Sequence, residues 1–259
     1  MRELNAPAWL VERPIAHRGL HDAEKGVIEN TLRAAEAAIA AGFAIECDVQ
    51  TSGDDEAFVF HDQTLDRLTD ARGALSAKCA AEIKKARING SGERPPTFGE
   101  FLSLVDGRTP VICELKSRFD GDWRVADRVV ALAAQYEGPL AFKSFDPDLF
   151  AYLRLRYPRL GRARAPCPIG IVAEASYDGP AWACLTAEQR QEWTEFEHFD
   201  RLRPDFLSWN VDDLPHKIPF LMKELNSAPI MAWTVRNPSQ REAARKWADQ
   251  IVFEGDGRP

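Results

Sequence analysis

Residues 43–50 read FAIECDVQ, and in this stretch two acids interrupt an otherwise apolar run. Side chains two apart along a strand share a face, so Glu46 and Asp48 point one way while Ile45, Cys47 and Val49 point the other. Burying carboxylates without a partner is strongly unfavourable, so a cation or a hydrogen-bond network must compensate for them. The stretch therefore predicts a strand that carries a polar site on one face.

Similar apolar segments rich in β-forming residues recur along the chain, and stretches with helical spacing lie between most of them. The predicted strands are residues 14–17, 43–50, 110–116, 140–145, 168–173, 205–211, 230–235 and 250–253. The predicted helices are residues 31–41, 122–136, 147–156, 186–199, 215–225 and 238–248. Strands and helices that alternate eight times predict an α/β fold, a (β/α)8 barrel of the TIM type, with a doubly wound open sheet as the alternative.

The length of 259 residues is close to that of one such barrel, so we expect a single domain over residues 1–259. A short extra strand is predicted at residues 58–60. The polar stretch that follows it is long for an idle loop, so we expect a small insertion at residues 63–96 that caps the barrel mouth. A surface excursion without a role in the site is the alternative. Only six residues follow Phe253, so we expect a shortened C-terminal end, with residues 1–11 covering the gap or the last helix simply absent.

Composition and charge exclude several classes of protein. The formal net charge of -7 argues against a nucleic-acid partner, because binding to phosphate backbones depends on clustered Lys and Arg. Five cysteines without a CxxC pair predict neither a disulfide framework nor a zinc ribbon. The N-terminal residues lack the apolar core of a secretory signal and no apolar run is long enough to span a bilayer, so we expect a cytoplasmic protein without stable membrane insertion. The sequence carries no prediction of oligomeric state.

The segment CELK at residues 113–116 repeats the arrangement of acids, because Glu114 and Lys116 share a face of their predicted strand. Three carboxylates and one ammonium then converge at the carboxyl ends of adjacent strands, where parallel barrels build active sites. Carboxylates without a thiolate or imidazole suit one hard divalent cation, Mg²⁺ or Ca²⁺. An ion-pair network of these acids with Lys116 and Arg18, without a metal, is the alternative.

Two histidines follow directly on predicted strands, at points where the chain leaves the sheet. His17 follows the first strand and His61 follows the extra strand, and loop residues on a rigid scaffold are often functional. Neutral imidazoles exchange protons in either direction near pH 7, as an acid and base pair requires. The other three histidines, His21, His198 and His216, lie in polar or helical context and are expected on the surface.

An ordered set of short segments resembles the glycerophosphodiester phosphodiesterase family. The segments are IAHRG at 15–19, IENTLRAAEAAIAAG at 28–42, IECDVQTSGDD at 45–55, VFHDQTLDRLTDARG at 59–73, CELK at 113–116, SFDP at 144–147 and AWTVRN at 232–237. The Pro of the family's PENT motif is Ile28 here, but Thr31 remains and can cap the following helix. After the last strand the chain reads EGDGRP, which differs from the family's usual ending.

The resemblance implies a TIM-type barrel that uses a divalent ion to hydrolyse small-molecule glycerophosphodiesters to glycerol phosphate and an alcohol. By position, the metal ligands are Glu46, Asp48 and Glu114, and the acid and base are His17 and His61. By the same carry-over, Arg18 and Lys116 contact the phosphate, and Trp233 matches an aromatic residue that could pack on the glycerol moiety or belong to the core.

Two alternatives from other classes remain open at this stage. A lysophospholipase D type or a cyclising phospholipase would act on a lipid phosphodiester and would need an exposed apolar rim, for which four aromatic residues are candidates: Trp182, Trp193, Phe196 and Phe199. A catalytically inactive barrel that serves as a binding module is the other alternative, although it would have no reason to hold both histidines and all three acids.

Overall fold

The computed structural model describes residues 4–158 and 167–259. Within them lie nine strands: β1 (Ile15–Ala16), β2 (Ala44–Thr51), β3 (Ala57–Val59), β4 (Val111–Leu115), β5 (Leu140–Ser144), β6 (Ile169–Ala173), β7 (Phe206–Asn210), β8 (Ile230–Val235) and β9 (Gln250–Phe253). They are hydrogen-bonded in the order β1-β9-β8-β7-β6-β5-β4-β2-β3, and β1 also pairs with β2. Eight strands thus close a parallel barrel, and β3 pairs antiparallel with β2 outside it. The predicted (β/α)8 fold is confirmed.

The helices of the described residues are α1 (Trp9–Glu12), α2 (Leu32–Ala40), α3 (Ala80–Ile83), α4 (Phe98–Val105), α5 (Arg124–Ala133), α6 (Pro147–Arg156), α7 (Ala187–Glu195), α8 (Phe199–Leu202), α9 (Lys217–Asn226) and α10 (Pro238–Trp247). Thr31 caps α2 as expected, because its hydroxyl accepts the amide of Ala34 at 3.1 Å. The single helix predicted over residues 186–199 is wrong: α7 ends at Glu195, and the left-handed backbone of the next residue, Phe196 (φ 60°), turns the chain before α8.

The sequence reasoning missed α4, although a local signal for it exists. Thr97 and Glu100 form a capping box, in which the Thr97 hydroxyl accepts the Glu100 amide at 3.2 Å. The Glu100 carboxylate accepts the Thr97 amide at 2.8 Å in return. Each bond pairs a donor that the first turn of a helix would otherwise leave unsatisfied, so this pattern predicts a helix start.

The chain forms two compact units. The N-terminal unit comprises residues 15–116 and 123–141, and the C-terminal unit comprises the described residues among 4–14, 117–122 and 142–259. The expectation of one domain stays a prediction.

In the N-terminal unit, residues 63–96 form a folded insertion. It contains α3 and two isolated antiparallel bridges, Thr64 with Ala74 and Thr69 with Ile88. Its apolar side chains join those at the end of β3 in one buried cluster, which consists of Phe58, Phe60, Leu65, Leu75 and Ile83. The insertion is therefore anchored by a small hydrophobic core of its own, while its capping role stays a prediction.

In the C-terminal unit, α1 lies against β9. The side-chain amide of Gln250 donates to the carbonyl of Arg13 at 2.8 Å, and Leu10 of α1 is buried. After β9 the chain makes only a short 3-10 turn at Gly255–Gly257. The helix α1 thus packs against β9, while its role as a cover for the place of a last helix stays a prediction.

Other side chains of the C-terminal unit depart from expectation. Trp193 and Phe196 are buried, so they do not form an exposed apolar rim. His198 was expected on the surface but is only 3% exposed and lies with its ring 4.6 Å from that of Phe196, because the turn between α7 and α8 folds it inward. All five cysteines are free thiols. Among the described residues, no helix has the length and apolar character needed to span a bilayer.

Candidate active site

Three carboxylates of the N-terminal unit meet where β2 and β4 pair. The parallel register places Asp48 opposite Glu114, and Glu46 lies two residues before Asp48 on the same face of β2. Ligand oxygens of these three acids lie within 4.8 Å of one another, and all three residues are buried. The structure thus brings together the three acids that the strand pattern predicted.

Two cations lie against this cluster. The Lys116 ammonium is 2.7 Å from a Glu114 oxygen and 3.4 Å from an Asp48 oxygen. The Nε atom of Arg18 is 3.3 Å from the other Asp48 oxygen. The ion pairs of the metal-free alternative are therefore present in the structure, and they use the same acids that would hold a metal.

The charges around Asp48 decide its protonation. Burial alone would raise the pKa of its carboxyl, but the charges of Lys116, His61, Arg18 and His17 outweigh burial and hold that pKa well below its usual range. Burial likewise acts to lower the pKa of Lys116, but Glu114 and Asp48 overcome it and raise the pKa. Asp48 is thus an anion and Lys116 a cation at neutral pH.

The turn after β1 folds back over Glu46. The backbone amide of Arg18 donates to Glu46 at 3.1 Å, and the Nε2 atom of His17 lies 3.8 Å from the same oxygen. Both Arg18 (φ 56°) and Gly19 (φ 79°) have left-handed backbone conformations. A Cβ atom on Gly19 would lie 2.8 Å from Ala34, so the close approach of α2 requires glycine here.

Asn30 holds Asp48 and was not predicted as a site residue. Its amide nitrogen donates to an Asp48 oxygen at 2.9 Å, and its carbonyl oxygen accepts the Asp48 backbone amide at 3.2 Å. The backbone amide of Asn30 donates in turn to the Arg18 carbonyl at 2.9 Å. Asn30 therefore fixes both a candidate metal ligand and the turn that carries a candidate phosphate ligand. Its left-handed backbone (φ 58°) before a helix start is a signal that only the structure displays.

His61 lies just after β3, and its ring is oriented by its neighbour Asp62. The Nδ1 atom of His61 is 2.9 Å from an Asp62 oxygen. Burial acts to raise the pKa of Asp62, but hydrogen bonds from Arg67 and His61 outweigh it and lower that pKa to about 2. An ionised carboxylate only accepts hydrogen bonds, so Nδ1 of His61 is the donor in this bond and Nε2 is the ring nitrogen that Asp62 does not engage.

Trp233 lies in the C-terminal unit, on β8. Its indole N–H donates to the carbonyl of Ser208 at 3.0 Å, and its ring packs edge-on against Phe145 with centroids 5.4 Å apart. Phe145 also packs on Trp182 at 5.0 Å. Trp233 therefore belongs to an aromatic cluster of this unit and is only partly exposed, so packing with a substrate and packing with neighbours are both open to it.

Comparison with known proteins places these features in a family. The model of the Glycerophosphoryl diester phosphodiesterase family matches residues 17–254. The chain belongs to this family. As a member of the glycerophosphoryl diester phosphodiesterase family, it is a phosphoric diester hydrolase.

Individual relatives match different shares of the chain. A glycerophosphodiester phosphodiesterase of Caldanaerobacter subterraneus subsp. tengcongensis is 37% identical over 111 residues, a match that spans 40% of this chain and 44% of that protein. The Bacillus subtilis relative YhdW is 25% identical over 252 residues, 93% of each chain. The structure of an Oleispira antarctica phosphodiesterase in complex with the product sn-glycerol-3-phosphate superposes with a TM-score of 0.73 at 21% identity, covering 96% of this chain and 94% of that one.

Proposed function

We propose that this protein hydrolyses glycerophosphodiesters to glycerol phosphate and an alcohol, using one divalent cation and two histidines. The observation that carries the proposal is the buried cluster of three carboxylates with Lys116 and Arg18 against it. A site of this kind binds a cation on its acids and an anion on its bases, which is what a metal-assisted phosphodiesterase needs. The similarity to a phosphodiesterase with sn-glycerol-3-phosphate as product supports the choice of substrate.

Glu46, Asp48 and Glu114 would hold the cation. Their oxygens are close enough to share one ion, and oxygen donors alone favour Mg²⁺ or Ca²⁺ over softer metals. Like charges this close are costly to bury together, so a divalent cation would relieve a repulsion that one lysine and one arginine now offset. When bound, such an ion withdraws charge from the phosphoryl oxygens and so favours attack on phosphorus.

The other residues of the site would bind the phosphate and move protons. Arg18 and Lys116 neutralise phosphoryl oxygens, which otherwise repel a nucleophile. One of the two imidazoles, His17 or His61, accepts a proton from the attacking hydroxyl while the other donates a proton to the departing alkoxide. The attacking hydroxyl is that of water or the glycerol hydroxyl adjacent to the phosphate, and the second choice would release a cyclic phosphate before the final hydrolysis.

Trp233 stays a candidate, on the family resemblance, to pack on the glycerol moiety of the substrate. The lipid alternative gains no support from Trp193 and Phe196, which are buried, while Trp182 and Phe199, the other two rim candidates, are half-buried. We therefore expect small, water-soluble diesters to be preferred over their lysolipid counterparts.

The first experiment is a coupled glycerol phosphate assay over a panel of headgroups, with and without chelator. Excess chelator should abolish turnover, and Mg²⁺ or Ca²⁺ should restore it; full activity in chelator would remove the metal from the scheme.

His17→Ala and His61→Ala should each lower kcat by about a hundredfold to ten-thousandfold. His216→Asn is the matched control, because His216 caps α9 and stacks on Trp209 in the C-terminal unit, and Asn retains a side chain that can cap. A His17→Ala protein with wild-type turnover would remove His17 from the mechanism.

A further inference from the structure

Arg67, which lies in the insertion, bridges two carboxylates beside the candidate site. Its Nε and Nη2 atoms donate to the two oxygens of Asp62 at 2.6 and 2.9 Å. Its Nη2 and Nη1 atoms also donate to the two oxygens of Glu29, at 2.8 and 3.2 Å. One guanidinium thus makes two-point contacts with two acids that are far apart in sequence.

Each of these carboxylates holds a residue of the proposed mechanism. Asp62 accepts the Nδ1–H of His61 at 2.9 Å. Glu29 accepts from the guanidinium of Arg18 at 2.7 Å. Arg67 therefore lies one contact away from a proposed acid or base and, on its other side, from a proposed phosphate ligand.

Arg67 is held in place by the fold of the insertion. It lies in a turn that closes through the hydrogen bond from the Thr69 amide to the Leu65 carbonyl, at 3.0 Å. Leu65 is fully buried in the hydrophobic cluster that anchors the insertion to the end of β3. The turn is thus fixed by packing rather than by the arginine itself, so the fold of the insertion places the guanidinium beside the two acids.

We propose that Arg67 is a positioning residue that fixes the orientation of His61 through Asp62 and that of Arg18 through Glu29. The insertion then serves the site by supplying Arg67. The proposal rests on the hydrolase function proposed above. A guanidinium is the group suited to this task, because its planar fork donates to two carboxylates at once, whereas a lysine ammonium is a single point of charge. An exposed ion pair with one acid would contribute little; the Arg67 side chain is itself 49% exposed, but it ties together two acids whose side chains are only 15% and 22% exposed.

The first test compares kinetics of Arg67→Met and Arg67→Lys with those of Arg128→Met. Arg128 is the matched control, since it makes a similar two-point contact with Glu56 at 3.0 Å in the same unit and takes no part in the site. We expect kcat/KM to fall about 10- to 100-fold in both Arg67 variants, the effect typical of residues that orient catalytic groups. The loss should lie mainly in kcat through His61, with a smaller rise in KM through Arg18. The control should stay within twofold of the wild type.

A double variant tests whether Arg67 acts through its carboxylates. Because Arg67 would act on His61 only through Asp62, the kcat of Asp62→Asn combined with Arg67→Met should be little lower than that of the more damaging single variant. Fully multiplicative losses in kcat would show that Arg67 does not act on His61 through Asp62 and would overturn the proposal.

A second readout is independent of turnover. Long-range proton–nitrogen spectra of histidine-labelled protein report the ring tautomer, and His61→Asn identifies the His61 signals. The wild type and Arg128→Met should show the Nδ1–H form of His61, while Arg67→Lys, which keeps the charge and is the less disruptive change, should shift toward the Nε2–H form that an unconstrained imidazole favours. An unchanged tautomer together with kcat within twofold of the wild type would refute the positioning role. If the wild type hydrolyses no diester in the panel, the proposed function fails, and the tautomer still decides the role of Arg67.

Discussion

Replacing Lys116 with methionine should destabilise the metal-free protein and make it unusually dependent on a divalent cation. Methionine keeps most of the aliphatic chain and removes only the charge. The lost ammonium is 2.7 Å from Glu114 and 3.4 Å from Asp48, and both acids are buried. Asp48 also loses the charge that contributes most to lowering its pKa.

The size of the effect follows from these contacts. At an effective dielectric constant of about 20, each contact supplies on the order of 5 kcal/mol of attraction. Part of that attraction is cancelled by the cost of desolvating the ammonium, so removing one member of a buried pair costs about 3–5 kcal/mol. A bound divalent cation would take over part of the compensation and should stabilise Lys116→Met more than it stabilises the wild type.

Urea unfolding in EDTA and in saturating Mg²⁺ measures both quantities. We expect the free energy of unfolding of Lys116→Met to fall by about 3–5 kcal/mol in EDTA and the deficit to shrink with Mg²⁺. Lys84→Met is the control, because Lys84 pairs with Glu100 at 3.7 Å between exposed side chains and should cost about 1 kcal/mol or less. Wild-type stability of Lys116→Met in EDTA would refute the account of the ion pairs, and a deficit that Mg²⁺ leaves unchanged would refute the metal site.

Three further predictions concern stability elsewhere in the chain. Burial, aided by the charge of Arg201, lowers the pKa of His198 to about 4 in the folded protein. In the unfolded chain the same imidazole takes up its proton near pH 6.5, so between these two pH values only the unfolded chain is protonated at His198. Stability should therefore fall as pH drops from about 6.5 to 4, by roughly 3 kcal/mol, and His198→Asn should lack this part of the pH dependence of urea midpoints. Thr31→Ala should cost about 1 kcal/mol in thermal unfolding through loss of the α2 cap, whereas Thr31→Ser should cost a few tenths. Gly19→Ala should cost more than Gly42→Ala, since both have positive φ but only the first meets a neighbour, and equal melting temperatures would contradict the close packing at Gly19.

Local chemistry explains why most of the fold could be predicted. The strand containing Glu46 and Asp48 was recognisable because alternation along a strand is fixed by backbone geometry and needs no distant partner. Thr31 was recognisable as a helix cap for the same reason. The break between α7 and α8 was not, because Phe196 adopts a left-handed conformation that its residue type does not favour.

The residues of the candidate site likewise divide into those that the sequence predicts and those that only the structure shows. The acids Glu46, Asp48 and Glu114 and His17 follow from strand ends, since parallel strands bring their carboxyl ends together whatever the loops do. His61 comes near Asp48 for another reason, because β3 runs antiparallel to β2 and the amide of the preceding Phe60 donates to the Asp48 carbonyl. The ion pairs with Lys116 and Arg18 were also expected, but the contacts made by Asn30 and Arg67 do not follow from sequence, because they join residues that lie in separate loops. Arg67 is one of many charged residues in a polar stretch, and only the packing of the insertion brings it 2.8 Å from Glu29, 38 positions away. Sequence alone determined which groups are candidates for the chemistry, and tertiary structure decided which groups hold them, because charge pairing acts through space and leaves no period along the chain.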